Sequence, residues 1–311
     1  MPESGSLPVI FIGGAGRSGS TLLGSILGQS PDCFAAGEVT HLWERGLLKD
    51  ELCGCGRAFS RCEFWQEVIR DAFGSLTLSE VREIERNRRL CSALGTLPLW
   101  LCPHLPRSGL VEALGFYEPR LLQLYRSMAK ISGKAVVVDS SKFPPESLLL
   151  ENSQAIELKL LHLVRNCKAV VNAWLKKKRR PEVTQRADFF RVYHPLVTCS
   201  AWLIFNTIFT DQSQRLSNRA TALRYEDLIE SPQRVIRDLA QSLAFREPEE
   251  LWIDDKVLAP LSNHMVSGNP SRLNQSAIPL VLDREWENSL PWRYRLLVEV
   301  LAGRVQKRYG Y

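Results

Sequence analysis

No stretch of this sequence is apolar for the roughly 18 residues that a membrane-spanning helix requires. The first residues, "MPESGSL", lack both the charged and the apolar segments of a secretory leader. With Met1 as the start, both absences lead to the expectation of a cytoplasmic chain, whose eight cysteines are mostly reduced thiols. There is no internal repeat and no low-complexity tract, which removes solenoids and disordered linkers from consideration. Large charge imbalance is also missing. A net charge of +6 suits an anionic ligand but is too mild to argue for nucleic acid, and no recognition-helix or RNA-binding motif accompanies it. What remains is a 311-residue chain, 45% hydrophobic and 24% charged, with ample material for one large α/β domain. We place that domain over residues 5–311, with a mainly helical insertion at about 70–130.

Hydrophobic periodicity supports this class. Val9 to Ile12 is a short apolar run ending in glycines, and "STLLGSIL" (20–27) follows with helical spacing. "KAVVVDS" (134–140), "IELKLLHLVR" (156–165) and "ATALRYEDL" (220–228) are further strand candidates. Helical patterns lie between them at Leu76–Leu94, Pro119–Ile131, Lys168–Lys178, Phe189–Gln214 and Pro232–Leu243. Strands alternating with helices predict a parallel sheet flanked by helices, with the ligand at the carboxyl ends of the strands. Three of these ends carry polar stretches: "GGAGRSGST", "DSSK" and "RNCK". The insertion, broken by Pro and Gly around 95–109, is expected to form a lid or substrate wall.

The stretch "FIGGAGRSGST" (11–21) nearly spells a nucleotide phosphate loop, G-x-x-x-x-G-K-[ST]. The lysine slot holds Ser20, however, and Arg17 lies inside the loop. In nucleotide hydrolases that lysine reaches the β- and γ-phosphates of a triphosphate. A terminal group with less charge can be held by loop amides and a helix N-terminus.

"GAGRSGSTLLGSIL" resembles the 5′-phosphosulfate loop of sulfotransferases that use 3′-phosphoadenosine 5′-phosphosulfate (PAPS). The resemblance continues through most of the chain. "HLVRNCKAVVNAWLKKK" (162–178) is similar to the 3′-phosphate segment V-R-D-P-R-A-x-x-x-S-W, and "LRYEDLIESPQRVI" (223–236) to the R-Y-E-D-L stretch. "VDSSK" (138–142) falls where related enzymes carry a basic residue. "HMVSGNPSRL" (264–273) resembles the late loop that closes on the nucleotide. The resemblance implies a P-loop-like sulfotransferase architecture and a PAPS-dependent enzyme that transfers a sulfuryl group to an acceptor hydroxyl of a sugar, lipid, phenol or peptide, releasing PAP. Gly16, Arg17, Ser18, Gly19, Ser20 and Thr21 then hold the sulfated end of the donor, and Arg165 holds the 3′-phosphate. Asn172, Tyr225, Gly268 and Arg272 are lesser donor-site candidates. Two anionic ends call for two basic subsites, and an arginine fork bonds phosphate bidentately. Asn166, Cys167 and Ala173 depart from the family's Asp, Pro and Ser. The contact that the Ser makes therefore has no direct counterpart, and Asn172 or Ser271 is left to replace it.

Transfer to an alcohol needs a base at the acceptor and cations at the transferring oxygens. Glu38, in "AAGEVTHLW", is our choice of base, with His41 three residues on as its competitor or partner. Lys142 supplies a movable point charge for the bridging oxygen, and Arg17 shares the developing charge. No metal is expected. "VVVD" ending at Asp139 also looks like the Mg²⁺-holding strand of ATPases. A Mg-dependent P-loop kinase or ATPase, or a non-catalytic nucleotide-binding protein, is accordingly the alternative. "CGCGRAFSRCEFW" (53–65) carries three cysteines at C-x-C-x6-C; zinc would need His41 or Cys91 to fold back as a fourth ligand, and the stretch reads instead as a loop of reduced thiols or a local pair. "KKKRRPE" (176–182) reads as a solvated helix end or an electropositive funnel. "YHPLVTCSAWLIFNTIF" (193–209) reads as a core helix or an apolar acceptor wall, and His104, His162 and His194 as structural.

Overall fold

The computed structural model describes residues 5–102, 104–105, 107–185 and 187–311, and the statements below concern those residues. Strands β1 (Leu7–Gly13), β2 (Cys33–Gly37), β3 (Val136–Lys142), β4 (Ile156–Val164) and β5 (Ala220–Arg224) form a parallel sheet in the order β2-β3-β1-β4-β5. Helices cover both faces: α1 (Ser20–Leu27), α2 (Glu63–Phe73), α3 (Leu78–Ser92), α4 (Leu97–Leu101), α5 (Ser108–Ser132), α6 (Pro144–Asn152), α7 (Cys167–Leu175), α8 (Pro195–Leu216), α9 (Tyr225–Glu230), α10 (Pro232–Leu243), α11 (Trp286–Ser289) and α12 (Trp292–Arg308). A small antiparallel sheet of β6 (Trp252–Asp254), β7 (Val257–Leu258) and β8 (Ile278–Pro279) follows α10.

The unbroken apolar run of β1 reflects burial on two sides. Val9 and Phe11 join one core with Trp43, Trp65, Tyr117, Leu121 and Leu124, whereas Ile10 and Ile12 join another with Leu23, Ile26, Ile236 and Leu239. All four β1 residues are fully buried, and each side chain contributes about 1.5–3 kcal/mol of transfer free energy. A third core, around Val164, Val170, Val171, Trp202 and Val298, packs α7, α8 and α12 together.

The helical insertion is part of the core. Tyr117, Leu121, Leu124, Tyr125 and Met128 of α5 are buried in the first core, so this helix seals one face of the sheet. Its companion α3 starts with a capping box, Thr77 accepting from the Glu80 N–H while Glu80 reaches back to the Thr77 N–H. Four boundaries differ clearly from the sequence expectation. The helix expected from Pro119 starts at Ser108 and carries Pro119 inside it. The strand expected over 220–228 stops at Arg224, where α9 starts. The helix expected over 168–178 ends at Leu175. The helix expected from Phe189 starts at Pro195, whose fixed φ and missing N–H suit a first helical position, with His194 accepting from the Leu196 N–H as cap. No described helix is long and apolar enough to cross a membrane.

With β1 central in the sheet, the segments leaving β1, β3 and β4 emerge side by side at one edge. Gly13 pairs with Lys142 on one side and His162 on the other.

Candidate active site

The loop from Gly14 to Gly19 is bent by residues that must be glycine. At Gly14, φ is +148° and a Cβ would lie 2.2 Å from the Leu163 carbonyl oxygen, so the loop can press against β4 only without a side chain there. Gly19, at φ +95°, caps α1 and lies against the Tyr225 ring. Arg17 adopts a left-handed φ of 71°, rare for a residue with a Cβ. That turn places its guanidinium over Trp174 (4.8 Å to the centroid) and Phe190 (4.4 Å). Arg17 Nε and Ser18 Oγ are buried with no partner among the described residues. Such groups are costly unless something accepts from them, and an anion in the loop would do so. Burial lowers the Arg17 pKa, and the Glu38 and Glu182 carboxylates oppose that shift. Gly16 lies against Trp174, whose indole N–H donates to the Gly16 carbonyl at 3.2 Å. Ser20 and Thr21 open α1 and are buried; Thr21 Oγ1 accepts from the Asn269 N–H at 2.9 Å.

Arg165 reaches the same loop from the end of β4. Its Nη1 donates to the Arg17 carbonyl at 3.0 Å, its guanidinium stacks on Tyr225 at 4.6 Å, and Nη2 lies 3.2 Å from Asp283 Oδ2. Its Nε is buried without a partner among the described residues. Arg165 thus meets the Arg17 loop, and Lys178 feels both arginines, its pKa being lowered by burial and by the charges of Arg17, Lys176 and Arg165. Asn166 caps α7 by accepting from the Lys168 N–H at 2.9 Å, the role that a short polar side chain plays before a helix. Asn172 is buried and accepts from Ser289 Oγ at 3.1 Å. Of the five cations in 176–180, Lys176 pairs with Glu285, and Arg180 with Glu51, Glu182 and Asp188.

Glu38 and Lys142 form a buried ion pair beside the loop. Lys142 holds a φ of 71° at the end of β3 and also donates to the Ser140 carbonyl at 3.1 Å. Ser267 donates to Glu38 Oε2 at 3.3 Å, and His41 Nε2 lies 3.5 Å from the same oxygen. Burial alone would raise the Glu38 pKa, but Lys142, His41 and Arg45 outweigh it and hold the carboxyl at about 2. His41 is pushed down to about 3 by burial and by Arg45, so its imidazole is neutral at ordinary pH. Glu38, His41 and Arg45 follow a three- and four-residue spacing that runs into a π-type turn over Leu42–Leu48, a geometry frequent at functional sites.

The late segment closes the wall. Val266 bridges to Gly37, and the Glu38 N–H donates to the Val266 carbonyl at 2.7 Å. Gly268, at φ +109°, brings the backbone so near that a Cβ would lie 2.9 Å from Thr21 Oγ1 and 3.6 Å from Glu38 Oε1. Arg272 is buried and donates to the Leu52 carbonyl at 2.9 Å, with Nε and Nη1 unpartnered among the described residues. The sequence candidates therefore converge, with Asn172 farther along α7. Arg45, Ser267 and Asp283 were not among them. Arg45 was detectable from its helical spacing to Glu38, and Ser267 lies in the late stretch 264–273 beside the candidate Gly268; Asp283 comes from a distant segment and carries no local signal. Asp139 has a structural place: Oδ1 accepts from the Ser141 N–H (2.8 Å) and hydroxyl (2.5 Å), and Oδ2 from the Tyr125 hydroxyl (2.5 Å).

Residues 8–92, which contain the loop, α1 and Glu38, match the family model described as Sulfotransferase family. Over 310 aligned residues the chain is also 25% identical to carbohydrate sulfotransferase 7 of Mus musculus and 26% identical to that of Rattus norvegicus. The chain is thus similar to sulfotransferases. Each of the two alignments covers 76% of this chain and 60% of the mammalian protein. The fold of this chain is similar to that of the sulfotransferase domain from the Synechococcus PCC 7002 olefin synthase (TM-score 0.50, 19% identity, 97% of each chain covered). It is also similar to that from the curacin biosynthetic pathway (TM-score 0.51, 16% identity, 98% and 99% covered).

Proposed function

We propose that this chain is a sulfotransferase that takes its sulfuryl group from PAPS and delivers it to a hydroxyl of a saccharide, releasing PAP and a sulfate ester. The observation that carries the donor assignment is the docking of Arg165 onto the backbone of the Arg17 loop. Two cationic residues from separate strand–helix junctions meet at one loop, an arrangement that suits a donor with two anionic ends. The names of the mammalian relatives support the saccharide.

In this reading the loop amides, Arg17 and Thr21 hold the 5′-phosphosulfate, and Arg165 holds the 3′-phosphate in place of its contact with Asp283. Glu38 takes the proton of the acceptor hydroxyl as that oxygen bonds to sulfur. The bond from sulfur to the bridging oxygen breaks, and its electrons stay on the 5′-phosphate of PAP. Lys142 stabilises that oxygen. The ion pair links the two roles. While Lys142 contacts Glu38, the carboxylate is a weak base. Drawing the ammonium towards the leaving oxygen removes the strongest charge that depresses the Glu38 pKa and so raises its basicity when the acceptor must lose its proton.

Titration with PAP followed by transfer from ³⁵S-labelled PAPS to a panel of saccharides, phenols, lipids and tyrosine peptides tests the reading. Saturable PAP binding and labelled saccharide are expected. Failure to bind PAP refutes the donor, and labelling confined to a non-sugar acceptor refutes the saccharide. The Mg-dependent alternative leaned on Asp139, whose carboxylate oxygens are already engaged by Ser141 and Tyr125.

A further inference from the structure

The three cysteines of "CGCGRAFSRC" lack a fourth ligand in the sequence around them, but the fold supplies one. His264, 202 residues beyond Cys62, places its Nδ1 3.2 Å from Cys62 Sγ and 3.8 Å from Cys53 Sγ. Cys55 Sγ lies 3.8 Å from Cys62 Sγ. The ligand atoms of Cys53, Cys55, Cys62 and His264 all fall within 4.8 Å of one another. We propose that Cys53, Cys55, Cys62 and His264 bind one zinc ion in a closed, structural site, a function separate from sulfuryl transfer.

The separations suit that ion. Tetrahedral zinc with Zn–S near 2.3 Å and Zn–N near 2.0–2.1 Å requires sulfur–sulfur edges of about 3.8 Å and sulfur–nitrogen edges of about 3.5 Å. The donor set of three thiols and an imidazole is soft and suits zinc over magnesium or calcium. Local structure aims each ligand. Gly56, at φ +81°, turns the chain so that its N–H donates to the Cys53 carbonyl at 2.9 Å, which brings Cys53 and Cys55 to one side. At Gly54 a Cβ would lie 1.8 Å from Asn263 Oδ1, so a larger residue there would have to displace the Asn263 side chain. Cys62 caps α2, where the helix N-terminus favours a thiolate. The His264 ring stacks on Phe64 (centroids 4.8 Å apart, planes at 19°), and its carbonyl accepts from the Trp65 indole N–H at 2.7 Å. These contacts are the outer support that orients a histidine ligand.

The ion would tie two distant segments together. From His264 the chain runs through Val266, which bridges Gly37, to Gly268 and Asn269 against Thr21 and Glu38. A zinc at the start of this segment holds the wall of the cleft in place without entering the reaction.

The test is the metal content of the whole chain, purified without added metal or chelator and measured by inductively coupled plasma mass spectrometry. One zinc per chain is expected, with loss of that equivalent in Cys55→Ser and His264→Ala, its return in His264→Cys, and full retention in Cys102→Ser, whose thiol is exposed elsewhere. Variants that fail to fold do not decide the matter, because the wild-type chain exchanged with cobalt should show thiolate-to-cobalt charge transfer and tetrahedral d–d bands. Iron in place of zinc, no metal, octahedral cobalt spectra, or a Cys55–Cys62 disulfide in the intact mass would each overturn the proposal. None of these readouts involves sulfuryl transfer, so the zinc assignment and the enzymatic reading can fail separately.

Discussion

Replacing Glu38 by Gln keeps the shape of the side chain and removes its charge, leaving the Lys142 ammonium buried without its counter-ion. The structure permits two estimates of the cost. A carboxyl with an ordinary pKa of 4.5, held at about 2, contributes on the order of 3 kcal/mol at neutral pH. Breaking a buried pair by removing one partner costs roughly 3–5 kcal/mol. Because the folded-state pKa is depressed, this contribution is fully present above about 4.5, is about half lost near pH 3, and disappears as pH falls through about 2. Urea unfolding of wild-type and Glu38→Gln protein should therefore give a stability gap near 3 kcal/mol at neutral pH that shrinks on acidification. Adding Lys142→Met removes the stranded charge, so the double variant should be less destabilised than the two single losses combined. Glu38→Gln should also retain PAP affinity and lose turnover. A gap that does not change with pH, or strictly additive losses, would refute the buried pair. Retained turnover would move the base to His41.

Arg17→Ala should abolish PAP binding, measured by calorimetry, and unchanged affinity would remove the loop from the donor site. Asp283→Asn should tighten PAP binding, most clearly at low salt, because an acid 3.2 Å from Arg165 competes with a phosphate for its guanidinium. Weaker binding would mean that Asp283 positions Arg165. His41, held at about 3 from an ordinary 6.5, must charge in a buried setting on acidification. Wild-type stability should thus decline as pH falls from about 6.5 toward 3, and His41→Gln should lose that part of the decline. Transfer measured with Mg²⁺ simply omitted should match transfer in its presence. Omission is preferable to chelation here, because a strong chelator would also strip zinc from the cysteine site.

The sheet and the donor loop were legible in the sequence because their causes are local. Burial on both faces makes a parallel strand apolar throughout, as in Val9 to Ile12, and a loop pressed against β4 tolerates only glycine at Gly14. Arg17 and Arg165 stood out because each sits where a strand hands over to a polar stretch, whereas Glu38 rested on the family resemblance. The helix boundary at Pro195 was less visible, since the apolar and aromatic character of 189–194 continues into the helix while the backbone there is not helical. The seating of α5 on the sheet was hidden as well, because the residues that cover a sheet and those that wall a cleft share one composition.

The sequence by itself determined the parallel α/β class, the anion-binding loop and the types of charged group that could meet there, since each follows from neighbours a few residues apart. Only the tertiary structure decided which of those groups are partners. It clasped Lys142 onto Glu38, laid Asp283 on Arg165 and carried His264 across to Cys62. Contacts between residues separated by a hundred positions or more depend on how layers pack, and packing leaves no periodic trace along the chain.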